Sequence, residues 1–277
     1  MSSIASPTYL NSTVHPVLFD LGPVTVYSYG FMIALGVIAG VYYMARRGKK
    51  EVGLTFDQAN ALFVYIFIAA LIGGKFFLFF EDPSHYVEKP ARLLSGRGFV
   101  FYGSFLFAIP TMLWFFRKHK LDTWKMLDVM AITTCLVHIG GRLGCFLAGC
   151  CHGLPTDSFL GVAFSDPLCM ADPKDTPLHP TQLYEAGFIL IVMVVLFGIR
   201  DRKRFDGQLF MMYLMLYAVG RFVIEYFRGD VERGLLFNGL VSHSQLIAFT
   251  VLILSSVIYY RRLQRSATAG LVKNHQR

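Results

Sequence analysis

Two arginines in this sequence sit where an apolar run should exclude charge. Arg142 lies in GGRLGC and Arg221 in YAVGRFVIEYFR, each inside a stretch long enough to cross a bilayer. An ionisable group at such a depth costs several kcal/mol unless it is paired or solvated, so each needs a reason. Tyr217, Arg221 and Glu225 follow the spacing i, i+4, i+8, which puts a phenol, a guanidinium and a carboxylate on one helical face. Tyr184 and Glu185 open another apolar run, close to His179 and Gln182. Two guanidinium groups among polar residues in a lipid-facing protein suit a phosphate, because the planar fork gives two parallel hydrogen bonds to its oxygens. The plainer alternative is that Arg221 and Glu225 form an internal ion pair that fixes packing. The glycines at 140, 141, 144 and 149 also let helices approach closely. Lys75, near a helix end, is expected to reach the interface by snorkelling and to have no further role.

The elements that must hold these residues are spanning helices. Hydrophobic residues make up 55% of the 277 and charged residues 16%, where a soluble domain carries roughly 25% charged. Lipid must therefore solvate part of the surface, and no sizeable soluble domain is expected. About 20 apolar residues cross a bilayer core. Seven spans are predicted, near 24–44, 59–80, 99–116, 126–149, 182–199, 208–227 and 243–260. The segments 45–53, 117–125, 200–204 and 261–277 hold 17 of the 26 Lys and Arg, and the alternate segments only 6. That bias predicts an all-α seven-helix bundle with its N-terminus outside and its C-terminus cytoplasmic. It forms a single membrane domain over 1–277, ending in a basic, frayed tail from 261. The +8 charge lies in short clusters between apolar runs, which argues for membrane lipid and against nucleic acid as a partner. Residues 1–16 contain no Lys or Arg, so no cleavable signal peptide is expected and Met1 is read as the mature N-terminus. Residues 81–98 mix charge with leucines and are expected along the interface, and residues 150–181 read as an outside loop.

Cys145, Cys150, Cys151 and His152 form C-x4-C-C-H. This is unlike the paired C-x2-C spacing of zinc sites, so a structural or weakly polar role is expected, with no metal and no organic cofactor. Cys151 and Cys169 share the outside loop, where a disulfide could form.

The motifs LGPVTVYSYGFM (21–32), GRGFVFYGSFL (96–106), HIGGRLGCFLAGCCHG (138–153), HPTQLYE (179–185) and YAVGRFVIEYFR (217–228) run in order along nearly the whole chain. In this the chain resembles the phosphatidylglycerol–prolipoprotein diacylglyceryl transferase family, as a divergent member. The resemblance implies a multi-pass protein of the bacterial inner membrane. Its partners would be phosphatidylglycerol and a prolipoprotein lipobox peptide, whose cysteine thiol takes the diacylglyceryl group as a thioether. Arg142 then matches the essential arginine of the GRLG motif. Arg221, Tyr217 and Glu225 match a second arginine group and count with Arg142 and Tyr102 as catalytic candidates. Tyr29, Gly153, His179, Gln182, Tyr184, Glu185, Cys145 and Cys150 match substrate-binding positions. Three positions depart from the family pattern. Tyr102 stands where a histidine base is usual, Cys145 where an asparagine is usual, and Cys150 where an acidic residue is usual. A phenol of pKa near 10 is a poor base at neutral pH, whereas a substrate thiol near 8.5 needs little help to ionise. The alternatives are a non-catalytic phospholipid-binding protein of the same fold and a transferase with another acceptor. A small-solute transporter is less favoured, because no internal repeat is visible.

Overall fold

Helices form along the apolar runs, and polar residues fix where several of them begin. Thr55 and Gln58 cap reciprocally. The Gln58 amide donates to Thr55 Oγ1 at 3.2 Å and the Thr55 amide to Gln58 Oε1 at 3.0 Å. Ser242 and Gln245 repeat the device at 3.2 and 3.0 Å, and Asp122 Oδ1 accepts from the Lys125 amide at 2.9 Å. Each satisfies donors that a helix start leaves open. The computed structural model describes residues 10–12, 14–81, 83, 86, 100–229, 235–236 and 241–275. Among these residues are seven α-helices. They are α1 (Ser28–Val52), α2 (Phe56–Glu81), α3 (Phe101–Lys118), α4 (Thr123–Ala148), α5 (Thr181–Ile199), α6 (Gln208–Ile224) and α7 (His243–His275).

Six of the seven are long and apolar enough to cross a membrane, with mean hydropathies of 1.4 to 2.3. Ile38, Phe67, Ile191, Val194 and Leu254 on these helices are each more than half exposed. That display of large apolar side chains fits lipid contact, and the architecture is that of an all-α polytopic membrane protein. The remaining helix, α3, has 18 residues, contains Pro110 and ends in Arg117 and Lys118. The first span, predicted at 24–44, is displaced. Residues 25–27 form a strand, and α1 runs on to Val52 through Arg46, Arg47, Lys49 and Lys50. Basic residues favour a helix C-terminus, and Arg47 pairs with Glu51 at 2.7 Å. The tail expected to fray from 261 instead continues α7 to His275, with Ser266 Oγ donating to the Arg204 carbonyl at 2.9 Å. The interfacial expectation for 81–98 falls almost wholly outside the described residues.

The chain divides into two compact units, Val41–Val129 and the remainder, with the division falling inside α1 and α4. In the first, α2 packs on α3 through Gly73 and Gly103. A Cβ on Gly103 would collide with the Gly73 carbonyl oxygen and come within 2.8 Å of Phe77. Beside this crossing, Trp114 sets its ring edge-on to Tyr65, with centroids 5.7 Å apart.

In the other unit, the N-terminal half of α1 crosses α4 at Gly36 and Gly140, where backbones touch. Small residues are what permit such an approach in lipid. The segment 150–181, read as a loop, has its own core. Strand β1 (Leu10–Ser12) pairs in parallel with β4 (Val162–Phe164), and β4 pairs antiparallel with β5 (Pro177–Leu178). Val14, Val162, Phe164, Cys169, Ala171 and Leu178 are buried together there, with Phe146 and Leu147 of α4 packed against them. A hairpin of β2 (Val17–Asp20) and β3 (Thr25–Tyr27) precedes α1, and β6 (Leu235–Leu236) pairs with β7 (Val241–Ser242) ahead of α7.

A Cβ at Gly140 would lie 2.7 Å from the Met32 carbonyl oxygen and 2.9 Å from Gly36 Cα, whereas one at Gly141 meets nothing within 4 Å. Gly140→Val should therefore cost about 1–3 kcal/mol through overpacking, while Gly141→Ala should be neutral or gain about 0.5–1 kcal/mol of helix propensity. Thermal unfolding of the two detergent-solubilised variants checks this opposite pair of outcomes.

Candidate functional site

Glu185 is the centre of the polar cluster. It sits in the second turn of α5 and is 2% exposed. Its Oε1 accepts three hydrogen bonds or ion contacts, from His138 Nε2 at 3.0 Å, from Arg142 Nη2 at 3.1 Å and from the Tyr217 hydroxyl at 3.1 Å. His138 and Arg142 are one turn apart on α4, and Tyr217 comes from α6. One carboxylate oxygen thus joins three helices. A buried carboxylate is tolerated only when so satisfied. The His138 ring also stands edge-on to Tyr217, with centroids 5.3 Å apart. Since a carboxylate only accepts, Nε2 of His138 carries the proton.

Arg221 lies one turn beyond Tyr217 on α6, at the same cluster. Its Nη2 is 2.8 Å from Glu225 Oε2 and 3.2 Å from Ser244 Oγ of α7, to which it donates. Its Nη1 is buried and has no hydrogen-bond partner among the described residues. A buried guanidinium N–H left open is a place for an anionic oxygen. Contacts run from Arg142 to Glu185 and from Glu185 to Tyr217, and Arg221 is the next residue along the Tyr217 face of α6.

The HPTQLYE residues hold a loop. Beyond α4 the backbone turns through Gly149 (φ 73°) and Cys151 (φ 60°), left-handed positions of which the second is unusual for a side-chain-bearing residue. Gln182 Nε2 donates to the Cys150 carbonyl at 2.7 Å, and Thr181 Oγ1 donates to the Cys151 carbonyl at 2.8 Å. Gln182 is fully buried, and its Oε1 lacks a partner among the described residues. His179 Nδ1 is 3.1 Å from the Tyr184 hydroxyl, and both rings lean on Phe227. Gly153 donates to the His179 carbonyl at 2.7 Å, and a Cβ there would overlap the Phe227 carbonyl oxygen. Gly153 is therefore a point of close backbone packing.

All five cysteines are free. The disulfide considered for Cys151 and Cys169 does not form. Cys169 is buried and points its Sγ at the Ala148 carbonyl, 3.6 Å away. Cys151 instead meets Cys145 and Cys150, and the three Sγ atoms lie within 4.8 Å of one another. Hydrogen bonding from Cys145 and then Cys150, with Arg142 and Arg228 close by, pulls the Cys151 thiol below the usual thiol range. Cys150 is pushed up by its bonding to Cys145 and Cys151. Tyr29 packs over this end of α4, its carbonyl oxygen 2.9 Å from where a Gly144 Cβ would stand. Tyr102 belongs to the other unit, in the first turn of α3, where it is 56% exposed.

Sequence reasoning missed His138 and Ser244. His138 was legible, because 138, 142 and 145 are spaced i, i+4, i+7 and share one face of α4. Nothing local marks Ser244, whose importance comes from α7 packing on α6.

The fold and this cluster define a polytopic membrane protein with partly buried arginines on α4 and α6, each paired with a buried glutamate. A family model described as prolipoprotein diacylglyceryl transferase matches residues 16–261. The phosphatidylglycerol–prolipoprotein diacylglyceryl transferase of Clostridium tetani is 35% identical over 86% of this chain and 94% of its own length. The enzyme of the same name from Dehalococcoides mccartyi strain 195 is 31% identical over 92% and 96%. This chain belongs to the prolipoprotein diacylglyceryl transferase family.

Glu185→Ala would leave the partly buried Arg142 guanidinium without its counter-charge. A loss of about 3–5 kcal/mol is expected, well beyond that of Asp201→Ala, whose exposed pair with Arg200 is worth about 0.2–1 kcal/mol. Denaturation midpoints in one detergent decide the order.

Proposed function

We propose that this protein moves the diacylglyceryl group of phosphatidylglycerol onto the lipobox cysteine of prolipoproteins, and that Arg142 and Arg221 hold the phosphate. The observation that carries the reading is that Arg142 pairs with Glu185, which also accepts from Tyr217, one helical turn from Arg221, whose Nη1 is buried and open. Family membership supports the same reaction.

In this reading the acceptor thiolate attacks the glycerol carbon that bears the phosphate ester. The C–S bond forms, the C–O bond breaks, and the electron pair stays on the phosphate oxygen. A phosphodiester monoanion becomes a glycerol phosphate dianion, and the thiol's proton is released. The guanidinium groups, fixed beforehand by Glu185 and Glu225, offset the added charge where little water competes. A free thiol is already a few per cent thiolate at neutral pH, so the arginine clamp supplies the larger part of the barrier reduction. His138 is a positioning residue that helps to fix Glu185. His179, Gln182, Tyr184 and Gly153 position the Cys150–Cys151 segment, with Tyr29 beside Cys145.

We further propose seven spans, counting α3, in the bacterial inner membrane, with the N-terminus outside and the basic C-terminal end cytoplasmic. The sheet of β1, β4 and β5 then lies outside, where prolipoproteins arrive. Reporter fusions at 55, 120, 202 and 270 should read cytoplasmic, and fusions at 20 and 165 external. Reversal of any pair would overturn this orientation.

Purified protein given labelled phosphatidylglycerol and a lipobox peptide should label the peptide. Arg142→Lys should cut the rate by about 10²-fold or more, because an ammonium cannot reproduce the two-point fork. Near-normal turnover by that variant would remove the phosphate clamp from the mechanism.

A further inference from the structure

Cys145, Cys150 and Cys151 converge although they are scattered in a spacing that resembles no zinc motif. Their three Sγ atoms lie within 4.8 Å of one another, and all three residues are half-buried. A tetrahedral zinc ion with Zn–S bonds of about 2.3 Å holds its sulfurs about 3.8 Å apart, so small side-chain rotations close the set. The frame that holds them is rigid. Cys145 is on the last turns of α4, the Cys150 amide donates to the Cys145 carbonyl at 3.1 Å, and α5 grips the Cys150 and Cys151 carbonyls through Gln182 and Thr181. The left-handed backbone at Gly149 and Cys151 folds the segment back over the helix end. The charge balance is also favourable. Three thiolates and a divalent cation sum to −1, and the guanidinium groups of Arg142 and Arg228 lie close to Cys151.

We infer that these three cysteines form a site for a thiophilic divalent cation of the zinc class, whose open fourth position takes the thiolate of the acceptor cysteine. Three protein ligands with one open position is the arrangement of catalytic rather than structural zinc, and a thiol that coordinates such an ion is deprotonated outright. Loading the site releases three thiol protons to water, and binding the acceptor releases a fourth. No electrons are exchanged. Cys145 stands three residues, a rise of about 4.5 Å, beyond Arg142 on the same face of α4. A nucleophilic sulfur held there would neighbour a phosphate held by Arg142. His138 is two turns away and already donates to Glu185, so its imidazole is not the group that takes up the thiol's proton directly. The fourth-ligand part of this inference rests on the transferase reading, whereas the three-sulfur site rests on geometry alone.

The test uses the full chain in detergent, reduced and under nitrogen, with Co2+ as the probe and Zn2+ as its competitor. One Co2+ per chain should bind, with sulfur-to-cobalt charge-transfer absorption and the visible bands of a tetrahedral ion, and Zn2+ should displace it. Cys145→Ser, Cys150→Ser and Cys151→Ser should each weaken binding by at least about 100-fold, more than loss of a supporting residue costs. Cys169→Ser should bind as the parent does. A lipobox peptide should shift the cobalt spectrum, and its Cys→Ser counterpart should not. Absence of stoichiometric binding, or binding that survives in the three serine variants, overturns the site. A spectrum unmoved by the cysteine peptide overturns the fourth-ligand role. Transfer is assayed in parallel. Peptide labelling at full rate by the three serine variants overturns the fourth-ligand role and leaves the transferase reading standing. Cobalt binding as expected without any peptide labelling sinks the transferase reading and supports the metal site.

Discussion

A single oxygen atom organises the candidate site. Oε1 of Glu185 accepts from an imidazole and a guanidinium on α4 and from a phenol on α6, while Glu185 itself sits on α5. In a membrane protein the apolar effect does not distinguish one helix arrangement from another, because lipid tails solvate Leu as well as a neighbouring helix does. Polar contacts of this kind then decide which helices meet and at what rotation. Any rotation of α4, α5 or α6 that broke the set would strand a carboxylate and a guanidinium in a medium that penalises both.

The same start of α5 serves a second purpose. Thr181 and Gln182 hold the carbonyls of Cys151 and Cys150, while Glu185 one turn later holds Arg142. Arg142 and the Cys150–Cys151 segment are therefore referenced to one rigid element. Glu225 and Ser244 hold Arg221 directly, and Glu185, itself held by His138, pairs with Arg142. A site meant to stabilise charge gains most from groups fixed in advance, since reorganisation during reaction would cancel the benefit.

Much of this was legible in the sequence. Arg142, Arg221 and Glu185 were marked by being charged inside apolar runs, a signal that needs no knowledge of neighbours. The Tyr217–Arg221–Glu225 spacing predicted one face, and Arg221 and Glu225 do pair. What the sequence could not carry was contact between elements. That Glu185 is the partner of Arg142 depends on how α5 meets α4. The convergence of Cys145, Cys150 and Cys151 depends on two left-handed residues that no spacing rule anticipates. The segment 150–181 looked like an open loop because its core is completed by Val14, far away in the chain. Helix limits differ from the predicted spans at α1 and α7. Basic residues end an apolar window, yet they extend helices α1 and α7.

Strand β1 lies beside β4, with Leu10 opposite Val162. The earliest described part of the polypeptide is thus stitched to one made after α4. During synthesis Leu10–Ser12 must wait, unpaired, while the helices from α1 to α4 are made. The small sheet that buries Cys169 and Phe164 can assemble only after β4 and β5 have been made. Its closure is a late, long-range event that reports on the whole preceding assembly, and a chain misinserted at any earlier helix would be left with its N-terminal strand unclaimed.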